Sequence, residues 1–87
     1  MYKLLIKKGV IDFLKNPKAL SRKNALALAR RIEELRTNPR PHDSIQLHGA
    51  QHRFRLTHGE YRVLFEINEK EKLVTVVQVG NRKDVYR

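Results

Sequence analysis

The chain has 87 residues, enough for one small domain, and its apolar fraction of 40% is compatible with a modest core. It contains no cysteine, so no disulfide can stabilise that core, which suits a reducing compartment. No apolar run approaches the length of a membrane span, and the hydrophobic stretch near the N-terminus is too short for a signal peptide. We therefore expect a single cytoplasmic domain, residues 1–87, without a membrane anchor.

Charge is the strongest signal in the composition. Nineteen Lys and Arg against nine Asp and Glu give a net charge of +10. Residues 1–41 contribute +8 of this excess and residues 42–87 contribute +2. Such a bias favours a polyanionic partner, most often nucleic acid, although an anionic membrane surface or an acidic protein satisfies the same charge. A solvated basic surface is the simpler alternative.

The N-terminal half reads as one strand followed by two helices. A short apolar segment predicts a strand at Tyr2–Lys7, and "VIDFLKN" predicts a short helix that ends before Pro17. In "LSRKNALALARRIEELRTN" the alanines and leucines recur at helical spacing, with Ser21 as N-cap and "NPRP" at Asn38–Pro41 as the stop. The polar face of this helix carries Lys23, Arg30, Arg31 and Arg36.

The C-terminal half reads as a loop, Pro41–Gln51, followed by three strands. These are predicted at His52–Thr57, Tyr61–Ile67 and Leu73–Val79, joined by connections of hairpin length. The order β-α-α-β-β-β predicts an α+β fold in which both helices pack on one face of a small antiparallel sheet. The first strand must join this sheet, since a lone strand leaves its backbone groups unpaired, and it makes the sheet mixed.

Alternation along the strands separates apolar side chains from arginines. Arg53, Arg55 and Arg62 are expected on the face turned away from the helices. If His58-Gly59 is the turn, Arg55 lies opposite Arg62, which costs up to about 1 kcal/mol through like-charge repulsion. An anionic ligand would compensate for that cost, because guanidinium groups suit phosphate oxygens. The alternative is three solvated arginines with Glu66 as a partial counter-charge.

The last predicted strand leads into "GNRKDVYR". Gly80 permits a turn or bulge where the strand ends. Arg82 would then return toward the face that carries Arg62, and Tyr86 would follow it.

Two segments carry a family resemblance. "HRFRLTHGEYRVLFEI" followed by "VTVVQVGNRKDVYR" resembles the RelE branch of the RelE/ParE toxin superfamily. The resemblance covers nearly the whole chain and includes the "NPRP" helix stop and "LHG" before the sheet. It implies a toxin of a type II toxin–antitoxin pair that cleaves mRNA on the ribosome without a metal or cofactor. It also implies the RelE-like fold, with helices on one face of an antiparallel sheet.

The resemblance further implies which residues act. The catalytic candidates are Arg55, Arg62, Arg82 and Tyr86, and the RNA-binding candidates are Arg53, Lys83 and Arg87. In this chemistry the ribose 2′-OH attacks the adjacent phosphate, so that fixed cations stabilise the charge that gathers on the phosphoryl oxygens. We expect Arg62 and Arg82 at that phosphate, Arg53 and Arg55 at its neighbours, and Tyr86 at the 2′-OH or a base.

This chain departs from the family pattern at three positions. Relatives often have lysine where it has Arg53 and Arg55, and many have histidine where it has Asn81. Arginine does not give up its proton in proteins, so the two arginines are expected to stabilise charge, and the general base stays open. The four histidines are interpreted as loop or strand-end residues without metal-ligand spacing, so no metal is expected; they are His42, His48, His52 and His58.

Other functions remain open from the sequence. A ParE-like protein that inhibits DNA gyrase by contact would not need Arg62, Arg82 and Tyr86 together. A third possibility is a ribosome- or RNA-binding relative that does not cleave. For any of these, a toxin of this kind implies an acidic antitoxin that wraps the basic surface and forms a hetero-oligomer with it.

Overall fold

Two helices and five strands form within residues 1–49 and 52–83, the part of the chain that the computed structural model describes. In chain order they are β1 (Lys3–Ile6), α1 (Lys8–Lys15), α2 (Arg22–Glu34), β2 (Ser44–Gln46), β3 (Arg53–His58), β4 (Tyr61–Asn68) and β5 (Leu73–Asn81). The predicted α+β class and the predicted order of elements are confirmed, with β2 as one additional short strand.

The strands form one open, mixed sheet in the order β1-β5-β4-β3-β2. β1 pairs with β5 in parallel, and the other three pairings are antiparallel. The parallel neighbour is possible because α1 and α2 carry the chain across one face of the sheet before the hairpins begin. The first strand therefore joins the sheet and makes it mixed, as predicted, and the structure places it beside β5.

Both helices pack on that same face. Ser21 caps α2 by accepting a hydrogen bond from the backbone N–H of Asn24 at 3.1 Å, as predicted from the sequence. The buried residues of the helices and the inward residues of the strands form one core: Val10, Leu20, Leu28, Ile32, Leu35, Phe54, Leu56, Val63, Phe65, Ile67, Val74, Val76 and Val79. No helix in the described ranges is long and apolar enough to cross a membrane.

Two ion-paired clusters fix the connections around the sheet. Arg31 on α2 binds both carboxylate oxygens of Asp43, at 2.9 and 2.8 Å, and this hydrogen bonding lowers the pKa of Asp43. At the opposite end of β4, Glu69 accepts from the Tyr2 hydroxyl at 2.8 Å and from Arg40 at 2.5 Å. These two hydrogen bonds lower the pKa of Glu69 to about 2.

The sheet departs from the sequence prediction in two places. β2 lies within the predicted loop 41–51; it has only three residues and occupies the edge of the sheet, where Ile45 pairs with Arg55 and remains half exposed. β5 continues through Gly80 to Asn81, so the strand does not end before Gly80 as predicted. The irregularity lies earlier, where Phe65 pairs with Val76 and Leu64 with Gln78, leaving Val77 as the extra residue.

Candidate functional site

The face of the sheet turned away from the helices carries the predicted arginines, and we call it the arginine face. Phe54 and Leu56 of β3 are buried in the core, so Arg53 and Arg55 project from the opposite side. Val63 and Phe65 of β4 are buried likewise, which places Arg62 on the arginine face. The predicted grouping of Arg53, Arg55 and Arg62 on one face is therefore present.

The hairpin between β3 and β4 sets the register of this face. His58 pairs with Tyr61, so the two-residue turn is Gly59-Glu60, and the predicted turn at His58-Gly59 is wrong by one residue. Gly59 has a φ of +59°, which suits the primed turns that connect twisted strands. The sequence did not decide between the two turns because both place apolar side chains opposite apolar side chains.

The observed register removes the predicted opposition of Arg55 and Arg62. Arg62 instead pairs with Thr57 on one side and with Gly80 on the other. Arg55 pairs with Leu64, which is buried although it lies on the arginine face. The arginines are thus staggered along the strands in steps of about 7 Å per two residues.

Arg62 lies on β4, the middle strand of the sheet, at the hairpin end of the arginine face, and it has unused hydrogen-bonding capacity. Its side chain is half-buried, and its Nη1 is shielded from solvent and has no hydrogen-bond partner in the described part of the chain. Within residues 1–49 and 52–83, Arg62 takes part in no ion pair. A buried polar atom without a partner in the protein alone is a feature that a bound ligand can explain.

Arg82 follows the end of β5 beside the hairpin turn. Its backbone N–H donates to the carbonyl of Glu60 at 2.8 Å, and its side chain is exposed. Because Gly80 pairs with Arg62 and Arg82 lies two residues further, both arginines occupy the same end of the sheet. Arg82 thus follows the strand that pairs with β4, and the approach of its side chain to Arg62 stays a prediction.

Asn81 and Lys83 shape the same corner. The side-chain oxygen of Asn81 accepts from the backbone N–H of Lys83 at 3.2 Å, which tightens the chain after β5. Lys83 itself is exposed. The sequence carries a signal for this turn, because an asparagine side chain readily accepts a hydrogen bond from the backbone N–H two residues further along the chain.

Arg53 is held in an ion pair across the β3–β4 hairpin. Glu66 lies directly opposite it on β4, and one carboxylate oxygen accepts from Arg53 Nε at 3.1 Å and from Nη2 at 2.5 Å. His52 Nε2 lies 4.0 Å from the same oxygen. The sequence predicted Glu66 as a partial counter-charge for the three arginines. The observed register shows that its partner is Arg53.

The remaining predicted site residues, Tyr86 and Arg87, lie outside the described residues. Among residues 1–49 and 52–83 there is no group of three or more His, Asp or Glu side chains that could hold a metal ion. His58 ends β3, with its Nδ1 3.4 Å from Arg31 Nη1, on the helix side of the sheet. The candidate site in the described part therefore consists of Arg55, Arg62 and Arg82, with Arg53 paired to Glu66.

Known proteins are similar to this chain over nearly its whole length. The family described as ParE toxin of type II toxin-antitoxin system, parDE, matches residues 8–86. In the archaeal RelE–RelB complex of Pyrococcus horikoshii OT3, a chain 25% identical is similar with a TM-score of 0.80, over 97% of this chain and 98% of that one. No curated protein sequence gives a significant match.

Two further solved structures share the fold at lower identity. The isolated E. coli RelE toxin is 18% identical, with a TM-score of 0.75, over 93% of this chain and 84% of that one. A chain of the RelB–RelE antitoxin–toxin complex of Methanococcus jannaschii is 22% identical, with a TM-score of 0.71, over 94% of each chain. The likeness extends across the helices and the sheet together.

Proposed function

Since the chain belongs to the ParE toxin family of type II toxin–antitoxin systems, within the RelE/ParE superfamily, we propose that this toxin is a ribosome-dependent mRNA endonuclease. The observation that carries the proposal is the arginine face, where Arg62 has a buried Nη1 without a hydrogen-bond partner among the described residues and the exposed Arg82 follows the neighbouring strand. A folded domain gains nothing from such an arrangement by itself, whereas a phosphodiester supplies the missing acceptors.

The proposed reaction needs fixed positive charge more than it needs a proton donor on the sheet. The ribose 2′-oxygen forms a bond to the adjacent phosphorus, the bond from phosphorus to the 5′-oxygen breaks, and a 2′,3′-cyclic phosphate and a 5′-OH result. The 2′-OH proton leaves to a base, and the 5′-oxygen acquires a proton. Negative charge grows on the non-bridging oxygens, where preorganised cations stabilise the transition state.

Each arginine receives a role that follows from its position. Arg62 and Arg82 hold the reacting phosphate from neighbouring strands, and Arg55 holds the next phosphate or the leaving oxygen. Tyr86 contacts the attacking 2′-OH or stacks on a base, and Lys83 and Arg87 bind RNA outside the reacting centre. Arg53, neutralised by Glu66, is left out of the reacting set. The residues in this mechanism require no metal or cofactor.

A second function has one observation in its favour, because the family that matches is described by its ParE members. A gyrase inhibitor that acts by protein contact does not need Arg62 and Arg82 together at one site. It therefore predicts that growth arrest survives their removal and that gyrase activity falls. A relative that binds ribosomes without cleaving predicts salt-sensitive ribosome binding with intact mRNA.

We also propose that an acidic antitoxin segment covers the arginine face in a hetero-oligomer. The support is the charge of +10 and Arg62, whose buried Nη1 has no hydrogen-bond partner among the described residues of this face. Similar toxins are solved in complexes with RelB antitoxins, from Pyrococcus horikoshii and Methanococcus jannaschii. Ribosomes as the site of action place the proposed activity in the cytoplasm.

The test is induction of the wild-type chain and of an Arg82→Ala/Tyr86→Ala variant in a bacterial host, with mapping of mRNA 5′ ends on ribosomes. We expect new 5′-OH ends inside coding regions with the wild type and their loss with the variant. Growth arrest by the wild type without new 5′-OH ends contradicts the endonuclease proposal. Arrest that also persists in the variant, with reduced gyrase activity, favours the ParE-like function.

A further inference from the structure

The arginine face is not uniformly cationic, because one acidic side chain lies within it. Among the side chains that the strands of the described ranges place on this face, Glu66 is the one carboxylate. It lies opposite Arg53 and binds two of its nitrogens, Nε at 3.1 Å and Nη2 at 2.5 Å. The guanidinium at this end of the face is therefore already engaged with an anion.

The pair occupies the end of the face remote from Arg62. Glu66 and Arg62 are four residues apart on β4, which separates them by about 13 Å. This exceeds the Debye length of about 8 Å at physiological salt, so the carboxylate acts on Arg53 and leaves the field at Arg62 nearly unchanged. A phosphate that approaches Arg53 must compete with Glu66 for the same N–H groups and is repelled by it.

We propose that Glu66 ends the RNA-binding track of the arginine face. Because Glu66 occupies the guanidinium of Arg53, that residue does not bind RNA. Single-stranded RNA then contacts the part of the face between Arg55 and Arg82 and does not extend to Arg53. This inference rests on the proposed function, since it concerns the substrate contact of the same face. Its consequence is a weak hold on free RNA, which leaves the ribosome to supply the rest of the binding energy.

The exposure of the pair supports a role in binding over a role in folding. The side chain of Arg53 is 45% exposed and that of Glu66 28% exposed. An ion pair this close to solvent contributes little to stability. Its location on the face that carries Arg62 matters more, because charge there decides where a polyanion can lie.

The test uses a 2′-O-methylated single-stranded RNA oligonucleotide, which lacks the nucleophile, so that binding is measured without cleavage. Fluorescence anisotropy over a salt series compares the wild type with Glu66→Gln and Arg53→Ala/Glu66→Gln. The matched control is Glu71→Gln, which removes the same charge from the exposed turn between β4 and β5. Thermal unfolding of each variant confirms that it is folded.

We expect Glu66→Gln to bind about fivefold more tightly at 0.1 M salt, with a salt slope steeper by about 0.7, the increment for one more phosphate contact on a single strand. The double variant should return to within about twofold of the wild type, because the released cation is gone, and Glu71→Gln should change affinity less than about twofold. In the wild-type background, Arg53→Ala should weaken binding less than Arg62→Ala does.

The proposal is overturned if Glu66→Gln and Glu71→Gln have equal effects, or if the double variant keeps the gain. It is also overturned if no protein binds the oligonucleotide, or if Arg53→Ala weakens binding as much as Arg62→Ala. These readouts are independent of catalysis. Failure of the endonuclease proposal is read from intact mRNA on ribosomes, and failure of the present one is read from the affinities.

Discussion

Arg62 shows what a single residue contributes to the candidate site. Alternation in "YRVLFEI" is enough to predict that its side chain leaves the apolar core, and the structure places it there. Its cross-strand neighbours could not be predicted from the sequence, because they depend on the position of the turn, and the observed turn lies one residue after the predicted one. With Thr57 and Gly80 beside it, its Nη1 is shielded from solvent and has no hydrogen-bond partner among the described residues.

Glu69 provides a test of residue-level electrostatics away from the arginine face. The Tyr2 hydroxyl and Arg40 lower its pKa from 4.5 to about 2 in the folded protein. A depressed carboxyl pKa stabilises the fold above pH 4.5, and this contribution is lost as pH falls toward 2. We expect Glu69→Gln to be less stable than the wild type at pH 6, with a difference in unfolding midpoint that vanishes near pH 2.

The control for this titration is Glu71→Gln. Glu71 is exposed in the same turn and forms no ion pair within the described ranges. Its variant should keep the acid response of the wild type. Thermal unfolding followed by circular dichroism between pH 6 and 2.5 supplies both comparisons, and a Glu69→Gln deficit that is as large at pH 2.5 as at pH 6 contradicts the assignment.

At the scale of elements, the β3–β4 hairpin controls the site because it fixes which side chains face each other. A slip of one residue moves every side chain to the other face of the sheet. Gly59 adopts a φ of +59° in this turn. A residue with a Cβ adopts this left-handed conformation only at a cost in free energy, because its Cβ comes too close to the backbone. The turn therefore couples a backbone requirement to the position of Arg62.

We expect Gly59→Ala to lower the free energy of unfolding by about 1 kcal/mol, through backbone strain alone, because a Cβ there meets no atom within 4 Å. Gly9→Ala is the matched control: it lies in α1, has equal space and is expected to raise stability by about 0.5 kcal/mol. Urea unfolding measures both. Equal effects of the two substitutions would contradict the role assigned to the turn.

The elements that the sequence predicted are those with a strong period or a strong stop signal. α2 has regular apolar spacing and a serine cap, and β4 has apolar side chains at every second position, Tyr61, Val63, Phe65 and Ile67, with Leu64 as the one exception on its other face. β2 was not predicted, because an edge strand of three residues with a single, half-exposed isoleucine shows no alternation of apolar and polar residues. The bulge at Val77 escaped because "VTVVQV" alternates plausibly in more than one register.

At the scale of the whole molecule, both the helix layer and the open face of the sheet carry basic residues. General attraction of a polyanion therefore has to be distinguished from specific chemistry at one face. The polar face of α2 exposes Lys23 and Arg30 on the helix side, while Arg62 lies across the sheet from them. Charge on either layer can draw the protein toward a polyanion. On the other layer, the arginine face places Arg55 and Arg62 on adjacent strands, and the proposed reaction is assigned to that face.

Family membership was predicted from motifs that span the chain, and the match over residues 8–86 confirms it. The site is less completely accounted for. Arg55, Arg62 and Arg82 are located, Arg53 is paired with Glu66, and Tyr86 and Arg87 lie outside the described residues. A sequence motif identifies residue types in order, whereas ion pairs between strands depend on register.

The most direct measurement combines purified protein with ribosomes that hold a 5′-labelled mRNA at a defined codon. We predict cleavage by the wild type to a 2′,3′-cyclic phosphate and a 5′-OH. Arg62→Gln should reduce the rate by about 10²- to 10³-fold without loss of thermal stability, since it removes a cation that has no partner in the described fold. The control Lys23→Gln/Arg30→Gln should keep the rate at saturating protein. Intact mRNA with the wild type, or equal rates for the wild type and Arg62→Gln, would contradict the account.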